Sequence, residues 1–383
     1  MKNFVRLNII DKLSHNLKTS PQFIQVILGP RQVGKTTSIL HYLEHEYKGP
    51  YVFVSSDSVF NASTLWLREK WQEARQKKAL LVIDEIQKVE NWSEVVKSLW
   101  DEDKRSKKLT PCVLLGSSSL ELQRGLTESL TGRFQLITAY HWNFHESTEG
   151  YDLTFDQYLK FGGYPGSYPL IKDEVWLTYL KNSIIETVIE KDILKNHTVK
   201  SPALFKQAFE ILISYPAQEV SYTKLLGQLQ DKGNTELVKH YIKLYEGAFL
   251  IKALEKFSTN SIKTRSSSPK ILPLCPAFFY SNILDEYSAT EKGRVFELIV
   301  GAQLIRTGLD LYYWREGAHE VDYILKRGRK IWAVEVKSGK KKSAKGLDIF
   351  LAKFAQAKGI IITLENYLDF EKDPLNFLEI NSN

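Results

Sequence analysis

A glycine-bracketed segment near the amino terminus limits most strongly what this chain can fold into. Residues 29–36 read Gly-Pro-Arg-Gln-Val-Gly-Lys-Thr, after an apolar run at Phe23–Leu28 and before a helical pattern at Thr36–Glu46. A strand, a glycine-rich loop and a helix in that order distinguish a phosphate-binding P-loop from a chance match. The sequence therefore predicts that the chain binds a nucleoside triphosphate.

The residue types of this loop suit a phosphate ligand. Gly29 and Gly34 let the backbone curl so that successive N–H groups face phosphate oxygens, and the helix that follows adds the positive end of its dipole. We expect Lys35 to reach the β- and γ-phosphates and the Thr36 hydroxyl to bind Mg²⁺. An ordinary glycine-rich turn is the alternative. The predicted nucleotide contacts in the loop are Gly29, Pro30, Arg31, Gln32, Val33, Gly34, Lys35, Thr36 and Thr37.

Apolar runs that alternate with helical or polar segments predict a parallel sheet covered by helices on both faces. The runs lie at Phe23–Leu28, Tyr51–Val54, Leu80–Ile83, Val113–Leu115 and Phe134–Ile137. The third run ends in Asp84 and Glu85, at the edge where ligands of open α/β sheets collect. We expect Asp84 to orient Mg²⁺ and its water, and Glu85 to activate the attacking water. An acidic cap on the following helix is the alternative.

Two further segments are candidates for sensing the nucleotide. The fourth run leads into Gly116 and Ser117–Ser119, where a hydroxyl, assigned to Ser117 with its two neighbours left open, is placed to sense the γ-phosphate. A plain helix cap is equally consistent. Arg133, just before the last run, is a candidate finger on the nucleotide of a neighbouring subunit in a homo-oligomer. Arg124 competes for that role, and an ordinary surface arginine is an equal alternative.

Length and composition limit the class of protein. A chain of 383 residues with 43% hydrophobic and 25% charged residues is typical of a globular protein, and its length predicts about two to four domains. No apolar stretch reaches the roughly 20 residues that span a bilayer, so we expect no membrane association. Cys112 and Cys275 are the two cysteines, which favours a reducing cytoplasm over a disulfide framework. The net charge of +7 weakly favours an anionic partner.

Taken together, these motifs resemble those of the prokaryotic AAA-type ATPases that carry a carboxyl-terminal domain of unknown function. Two more segments carry the resemblance: Phe161–Pro165, which reads Phe-Gly-Gly-Tyr-Pro, and Ile189–Ile193, which reads Ile-Glu-Lys-Asp-Ile. The resemblance covers essentially the whole chain. It implies an ATPase domain with an ASCE-type parallel sheet over residues 1–150, a small helical lid over residues 151–203, and ATP as the nucleotide.

A helix–turn–helix pattern followed by a strand predicts a winged helix over residues 204–268. Ser221 is a suitable cap for a short helix, Thr235–Tyr245 predicts a second one, and Ala248–Leu254 follows as an apolar strand. Because winged helices also serve as packing modules, DNA contact by this region stays open. The second helix carries three side chains that suit phosphate contacts in a major groove, namely Lys239, His240 and Lys243.

Residues 269–383 hold a second set of charged residues that the pattern brings together. Alternation along Ile331–Lys337 turns Glu335 and Lys337 to one face. An earlier strand turns Asp322 away from an apolar face made of Val321, Tyr323 and Leu325. A predicted helix at Lys292–Arg306 turns Glu297 inward with its apolar stripe, which is costly unless a cation meets it. A metal ion would supply that cation.

Glu297, Asp322, Glu335 and Lys337 together resemble the core of PD-(D/E)xK nucleases. The resemblance implies that Glu297, Asp322 and Glu335 hold Mg²⁺, and that Glu335 and Lys337 are catalytic, with the lysine positioning the hydrolytic water. The residue before Asp322 is valine, where the motif has proline. Further candidates for nucleic-acid contact near this site are Trp314, Arg315 and Lys340–Lys342.

Two functions from different classes follow. The first is a Mg²⁺-dependent ATPase coupled to DNA binding, with DNA cleavage by the carboxyl-terminal domain as an open addition. The second is a nucleotide-dependent regulatory switch whose nuclease-like domain is a non-catalytic recognition module. Both share one predicted fold class, an α/β multidomain chain with a P-loop sheet, a helical lid, a winged helix and a carboxyl-terminal α/β domain.

Overall fold

The computed structural model describes residues 4–59, 62–116, 119–229, 234–258, 267–339 and 344–382. Its chain forms two compact units. The amino-terminal unit comprises Asn3–Tyr140 and Lys181–Thr198, and the carboxyl-terminal unit comprises His141–Leu180 and Val199–Asn383. The lid over residues 151–203 stays a prediction, and its residues 181–198 belong to the amino-terminal unit.

A five-stranded parallel sheet lies at the centre of the amino-terminal unit, as the apolar runs predict. Its strands are β1 (Ile24–Leu28), β2 (Tyr51–Ser55), β3 (Leu80–Asp84), β4 (Cys112–Leu115) and β5 (Phe134–Thr138), in the order β2-β3-β4-β1-β5. Every residue of β1, β3 and β4 is buried, which is typical of strands covered on both faces. The helices of this unit are α1 (Asn8–Thr19), α2 (Lys35–His45), α3 (Thr64–Lys77), α4 (Trp92–Ser106) and α5 (Ser119–Ser129).

The carboxyl-terminal unit begins with three helices, α6 (Phe144–Tyr151), α7 (Phe155–Phe161) and α8 (Val175–Thr178). Capping boxes start the first two, with Asn143 before α6 and Thr154 before α7. The next part of the chain, most of which belongs to the amino-terminal unit, contains two π-helical segments at Tyr179–Glu186 and Val188–Leu194. Within the described residues, we find no helix with the length and apolarity needed to cross a membrane.

In the next stretch, the described residues form three helices and a small antiparallel sheet. They are α9 (Pro202–Ile213), β6 (Gln218–Glu219), α10 (Tyr222–Gln228), α11 (Thr235–Gly247), β7 (Ile251–Leu254) and β8 (Lys270–Pro273), and the sheet order is β6-β8-β7. The Ser221 hydroxyl accepts the Lys224 N–H at 3.1 Å, so the predicted cap of α10 is present. The sequence predicts a domain boundary after residue 268. Strand β8 begins just after that position, but it pairs with both β6 and β7 and so belongs to their sheet.

The last segment forms a four-stranded mixed sheet. Its elements are α12 (Pro276–Ile283), α13 (Ala289–Ile305), β9 (Asp310–Glu316), β10 (His319–Arg327), β11 (Lys330–Lys337), α14 (Lys345–Lys353), β12 (Ala357–Thr363), α15 (Tyr367–Lys372) and α16 (Pro374–Ile380). Strands β9, β10 and β11 are antiparallel, whereas β12 runs parallel to β11. A parallel pair needs a crossover connection, and α14 supplies it.

A β-bulge in β10 changes which side chains share a face. The pairing with β9 shifts register between Val321 and Ile324, and these two side chains pack together with Phe350 of α14. Tyr323 and Leu325 join the other core, which contains the apolar residues of α13. The prediction that Val321 lies on one face with Tyr323 and Leu325 is therefore wrong, because a bulge interrupts strand alternation.

Candidate nucleotide site and carboxylate cluster

The P-loop has a backbone conformation that only particular residues tolerate. Gly29 has φ of 152° and Gly34 has φ of 90°, both in the region that favours glycine. A Cβ on Gly29 would lie 2.5 Å from the Ala139 carbonyl oxygen. Gly34 is the residue directly before α2, so the loop leads into the amino terminus of that helix, where phosphate binds favourably.

Lys35 is held against its own loop. Its Nζ donates to the carbonyl oxygens of Gly29 at 3.0 Å and Pro30 at 2.6 Å, and the residue is 7% exposed. Burial lowers the pKa of Lys35 to about 8, because the charged ammonium is poorly solvated. An anionic ligand at the loop would relieve that cost.

Thr36 and Asp84 meet at the carboxyl edge of the sheet. The Thr36 Oγ1 donates to Asp84 Oδ2 at 2.8 Å, and the Ser56 hydroxyl donates to the Asp84 backbone carbonyl at 3.2 Å. Burial raises the pKa of the Asp84 carboxyl. A hydroxyl and a carboxylate in contact beside a P-loop are the oxygen ligands that suit Mg²⁺, so these residues fit the predicted ion.

Glu85 follows in a left-handed backbone conformation with φ of 54°. Its backbone N–H donates to Asp84 Oδ1 at 3.0 Å, and its side-chain Oε2 accepts from Gln87 Nε2 at 2.6 Å. The Gln87 contact was not foreseen from the sequence. A non-glycine residue with positive φ is costly, and such strain is often found at functional sites.

The structure leaves the two nucleotide-sensing predictions open. Ser117 lies outside the described residues. The Arg133 guanidinium binds Asp101 through Nε at 3.0 Å and Nη2 at 3.2 Å and lies 5.4 Å from the Trp100 ring. Arg124 is paired with Glu128 on the surface. A role for Arg133 in trans stays a prediction and would require release from Asp101.

A further contact joins the P-loop to the Ile189–Ile193 segment. Arg31 Nε donates to Asp192 Oδ2 at 2.7 Å, and a second guanidinium nitrogen contacts the other carboxylate oxygen. Asp192 is buried, and burial raises the pKa of its carboxyl against the opposing effect of Arg31. Both segments are recognisable as motifs in the sequence, but no sequence pattern predicts the contact between them.

In the carboxyl-terminal unit, the four predicted charged residues converge with a fifth, Lys270 of β8. The Lys270 ammonium contacts Glu297, lies 3.6 Å from Asp322 Oδ1, and donates to the Asp322 backbone carbonyl at 3.3 Å. Glu320 Oε1 lies 3.4 Å away. Lys270 is fully buried. In the sequence, Lys270 is the first residue of an apolar run. The Ser-rich stretch before this run made the strand difficult to predict.

Glu335 and Lys337 form the other side of this cluster. Lys337 Nζ donates to Glu335 Oε1 at 2.5 Å, and Asp322 Oδ2 accepts the Val336 backbone N–H at 2.7 Å. Glu335 Oε2 is buried without a hydrogen-bond partner. Burial, and then the nearby Asp322, raise the pKa of Glu335 to about 7.

As arranged, these carboxylates do not fit the predicted divalent metal. The Lys270 ammonium contacts Glu297 and lies near Asp322, where the predicted metal ion would be. Among the described residues there is no group of three or more His, Cys, Asp or Glu side chains placed to hold a metal ion. The assignment of Glu297, Asp322 and Glu335 as ligands stays a prediction that would need Lys270 to move.

The predicted nucleic-acid contacts near the cluster are only partly exposed. Trp314 is 3% exposed and packs against the Phe350 ring at 5.3 Å, so its side chain is not accessible for the predicted nucleic-acid contact. The sequence could not show that α14 covers this face. Arg315 is exposed and pairs with Glu219 at 3.0 Å. Lys340–Lys342 lie outside the described residues.

Three protein families match parts of this chain. Residues 21–148 match the AAA domain family, residues 152–274 match a domain of unknown function (DUF8612), and residues 292–381 match another (DUF4143). An uncharacterized protein of Methanocaldococcus jannaschii is 27% identical over 81% of this chain and 73% of its own length. An uncharacterized protein of Haemophilus influenzae is 24% identical over 94% of this chain and 93% of its own.

Solved structures align only loosely. The RuvB Holliday junction branch migration motor of Thermotoga maritima aligns with a TM-score of 0.31 and 16% identity, over 64% of this chain and 88% of its own. A katanin structure aligns with a TM-score of 0.29 and 19% identity, over 62% and 83%. The AAA match, the parallel sheet and the P-loop together support a P-loop domain of the AAA type over residues 21–148.

Proposed function

We propose that this protein binds ATP with Mg²⁺, hydrolyses it, and couples hydrolysis to DNA binding by its carboxyl-terminal unit. The observation that carries the ATPase part is the Thr36–Asp84 contact of 2.8 Å beside the P-loop lysine and Glu85. The ion would neutralise charge between the β- and γ-phosphates. Lys35 would exchange its two carbonyl partners for phosphate oxygens.

Glu85 is the group assigned to the water. It lies one residue beyond the strand that ends in Asp84, and it would accept one proton from the attacking water as a general base. The water oxygen then forms its bond to the γ-phosphorus, and the bond to the bridging oxygen breaks to leave ADP. The backbone N–H groups of the P-loop and Lys35 would hold the phosphates in place for that step, while the Thr36 hydroxyl and Asp84 would hold the ion.

The DNA part is supported by the chain order α9, β6, α10, α11, β7 and β8, which is the order of elements in a winged helix. On α11, His240 and Lys243 are exposed, whereas Lys239 is half-buried and pairs with Glu236 at 2.7 Å. Exposed lysine and histidine side chains on one helix suit contacts to phosphates rather than to bases. The net charge of +7 agrees with an anionic partner.

ATP turnover with and without duplex DNA tests this coupling. We expect DNA to stimulate phosphate release by the full chain, and Lys35→Ala to abolish both the basal and the stimulated rate. His240→Ala with Lys243→Ala should weaken stimulation, while Lys97→Ala, an exposed lysine on α4, should not. A rate of ATP turnover that DNA does not change at low salt, where phosphate contacts are strongest, would refute the coupling.

The Lys270 contacts favour a second candidate, a nucleotide-dependent switch whose carboxyl-terminal domain recognises a partner without cutting it. A buried ammonium already lies against two carboxylates that cleavage would need for metal. Incubation of the full chain with supercoiled plasmid and Mg²⁺ or Mn²⁺ separates the candidates. Absence of nicking supports the switch, and nicking that Glu335→Ala and Lys337→Ala both abolish would refute it.

A further inference from the structure

Gln87 has a contact to the proposed general base and a second polar atom without a partner. It lies in a short 3-10 turn, Ile86–Lys88, that follows Glu85. Its Nε2 donates to Glu85 Oε2 at 2.6 Å. Because a carboxylate only accepts, this contact also fixes which end of the amide is nitrogen. Its oxygen, Oε1, is buried without a hydrogen-bond partner.

The free oxygen of Gln87 is aimed at the end of β4. A Cβ added to Gly116 would lie 2.4 Å from Gln87 Oε1, closer than real Cβ contacts allow. Gly116 is the first residue after β4 and directly precedes the serines predicted to sense the γ-phosphate. The amide therefore lies between the Glu85 carboxylate and the strand end at which the terminal phosphate is expected.

A purely structural role of Gln87 explains the contact of its amide nitrogen with Glu85, but not the position of its amide oxygen. A hydrogen bond to Glu85 would stabilise the turn, but it would not require the amide oxygen to be buried without a donor. Buried acceptors in folded proteins nearly always have a partner, which is often water. A water that donates to Gln87 Oε1 would lie beside Glu85, where the attacking water must be. Glutamine side chains orient the attacking water in other nucleotide hydrolases.

We propose that Gln87 is a positioning residue for ATP hydrolysis, whose amide nitrogen holds the Glu85 carboxylate and whose amide oxygen orients the attacking water. Gly116 leaves the space that this orientation needs. The inference rests on the proposed ATPase function and adds two residues to it. Neither acts on the phosphate directly, so substitution should change turnover and leave nucleotide binding intact.

Steady-state turnover of the full chain, together with the affinity for a fluorescent ATP analogue, tests this role. We expect Gln87→Ala to lower kcat by about tenfold or more, with the analogue affinity changed by less than about twofold. Gln87→Asn, which keeps the amide but shortens its reach, should recover little. The matched control is Gln76→Ala, an exposed glutamine on α3, which should change neither quantity.

Gly116→Ala provides an independent perturbation of the same contact. Its methyl group must displace the end of the flexible Gln87 side chain, so kcat should fall without loss of the fold. In the Gln87→Ala background the same change should have little further effect, because the displaced group is gone. This non-additivity is the signature that a merely structural role of either residue would not produce.

The outcomes are distinct. If the wild-type chain turns over ATP and Gln87→Ala turns over equally fast, the positioning role is refuted and the ATPase proposal stands. Additive effects of Gly116→Ala and Gln87→Ala would also refute it, since the two residues would then act separately. If the wild-type chain binds ATP but releases no phosphate, the proposed function fails, and this inference fails with it.

Discussion

Lys35 of the nucleotide site and Lys270 of the carboxylate cluster are both buried, but their surroundings are opposite. Lys35 donates to two carbonyl oxygens, and burial lowers its pKa to about 8. For Lys270, burial acts in the same direction, but Glu297, Asp322 and Glu320 more than offset it and raise the pKa. The first ammonium gains from an anionic ligand, whereas the second is already neutralised within the fold.

The largest expected effect comes from removing Lys270. Lys270→Met leaves Glu297 buried without its cation, and breaking a buried pair in this way costs about 3–5 kcal/mol. We expect the free energy of unfolding in urea, measured without nucleotide, to fall by that amount. Lys35→Met, the matched variant, removes an ammonium bonded to carbonyls and should change it by less than about 1 kcal/mol.

A double variant sharpens this comparison. Lys270→Met with Glu297→Gln removes both charges of the pair and should recover part of the lost stability, because position 297 then carries no charge without its cation. Equal losses for the Lys35 and Lys270 variants would contradict the distinction between the two lysines.

The next largest effect is on nucleotide binding, and here the Lys35 variant should lose affinity whereas the Lys270 variant should not. Lys35→Ala removes a charge-assisted contact to phosphate and should weaken ATP affinity by about 10- to 100-fold. Isothermal titration of the full chain with Mg·ATP measures it. The folded fraction of Lys270→Met should bind ATP with unchanged affinity. Loss of binding in both variants would mean that Lys270 also supports the nucleotide site.

The pKa of Glu335, raised to about 7 by burial and by Asp322, predicts a pH-dependent stability. Because the folded state retains a proton that the unfolded state loses at about pH 4.5, this contribution is present at low pH and is lost as pH rises toward 7. We expect the free energy of unfolding to decrease by about 1–2 kcal/mol between pH 5 and 8, after allowance for solvent screening. Glu335→Gln should flatten the profile, and an unchanged slope would contradict this origin.

The smallest effect separates the charge of Lys35 from its shape. Because burial lowers the pKa of Lys35 to about 8, the ammonium loses its proton above that pH. ATP affinity should therefore fall by up to about tenfold between pH 7 and pH 9. Lys35→Arg keeps its charge over this range and should show weaker but nearly pH-independent binding. A parallel decrease in the arginine variant would assign the pH dependence to another group.

Local patterns predicted much of this fold. The P-loop, the run that ends in Asp84 and Glu85, and the alternation that carries Glu335 and Lys337 are short-range signals. Each of them lies in the predicted type of element. The approach of Glu297 and Asp322 also followed, because a carboxylate on an apolar stripe needs a neighbouring cation or donor.

The missed features depend on contacts between distant segments. The sequence predicted that a cation meets Glu297 but not that Lys270 supplies it from β8, a strand hidden behind a Ser-rich stretch. Because of the bulge after Val321, this side chain lies on the opposite face of β10 from the predicted one, since one extra residue shifts strand alternation. The Gln87 contacts involve Gly116, far along the chain, and no periodicity indicates such a pair.

Phosphate release from Mg·ATP by the full chain and by Glu85→Gln, at concentrations where both are saturated with nucleotide, tests the central claim most directly. Glutamine preserves the shape of Glu85 but cannot accept the proton of the attacking water. We predict equal ATP binding by the two proteins and a rate of release at least about 100-fold lower in the variant. Equal rates of release, or a wild-type chain that binds ATP and releases no phosphate, would contradict the assignment of this chain as an ATPase that acts through Glu85.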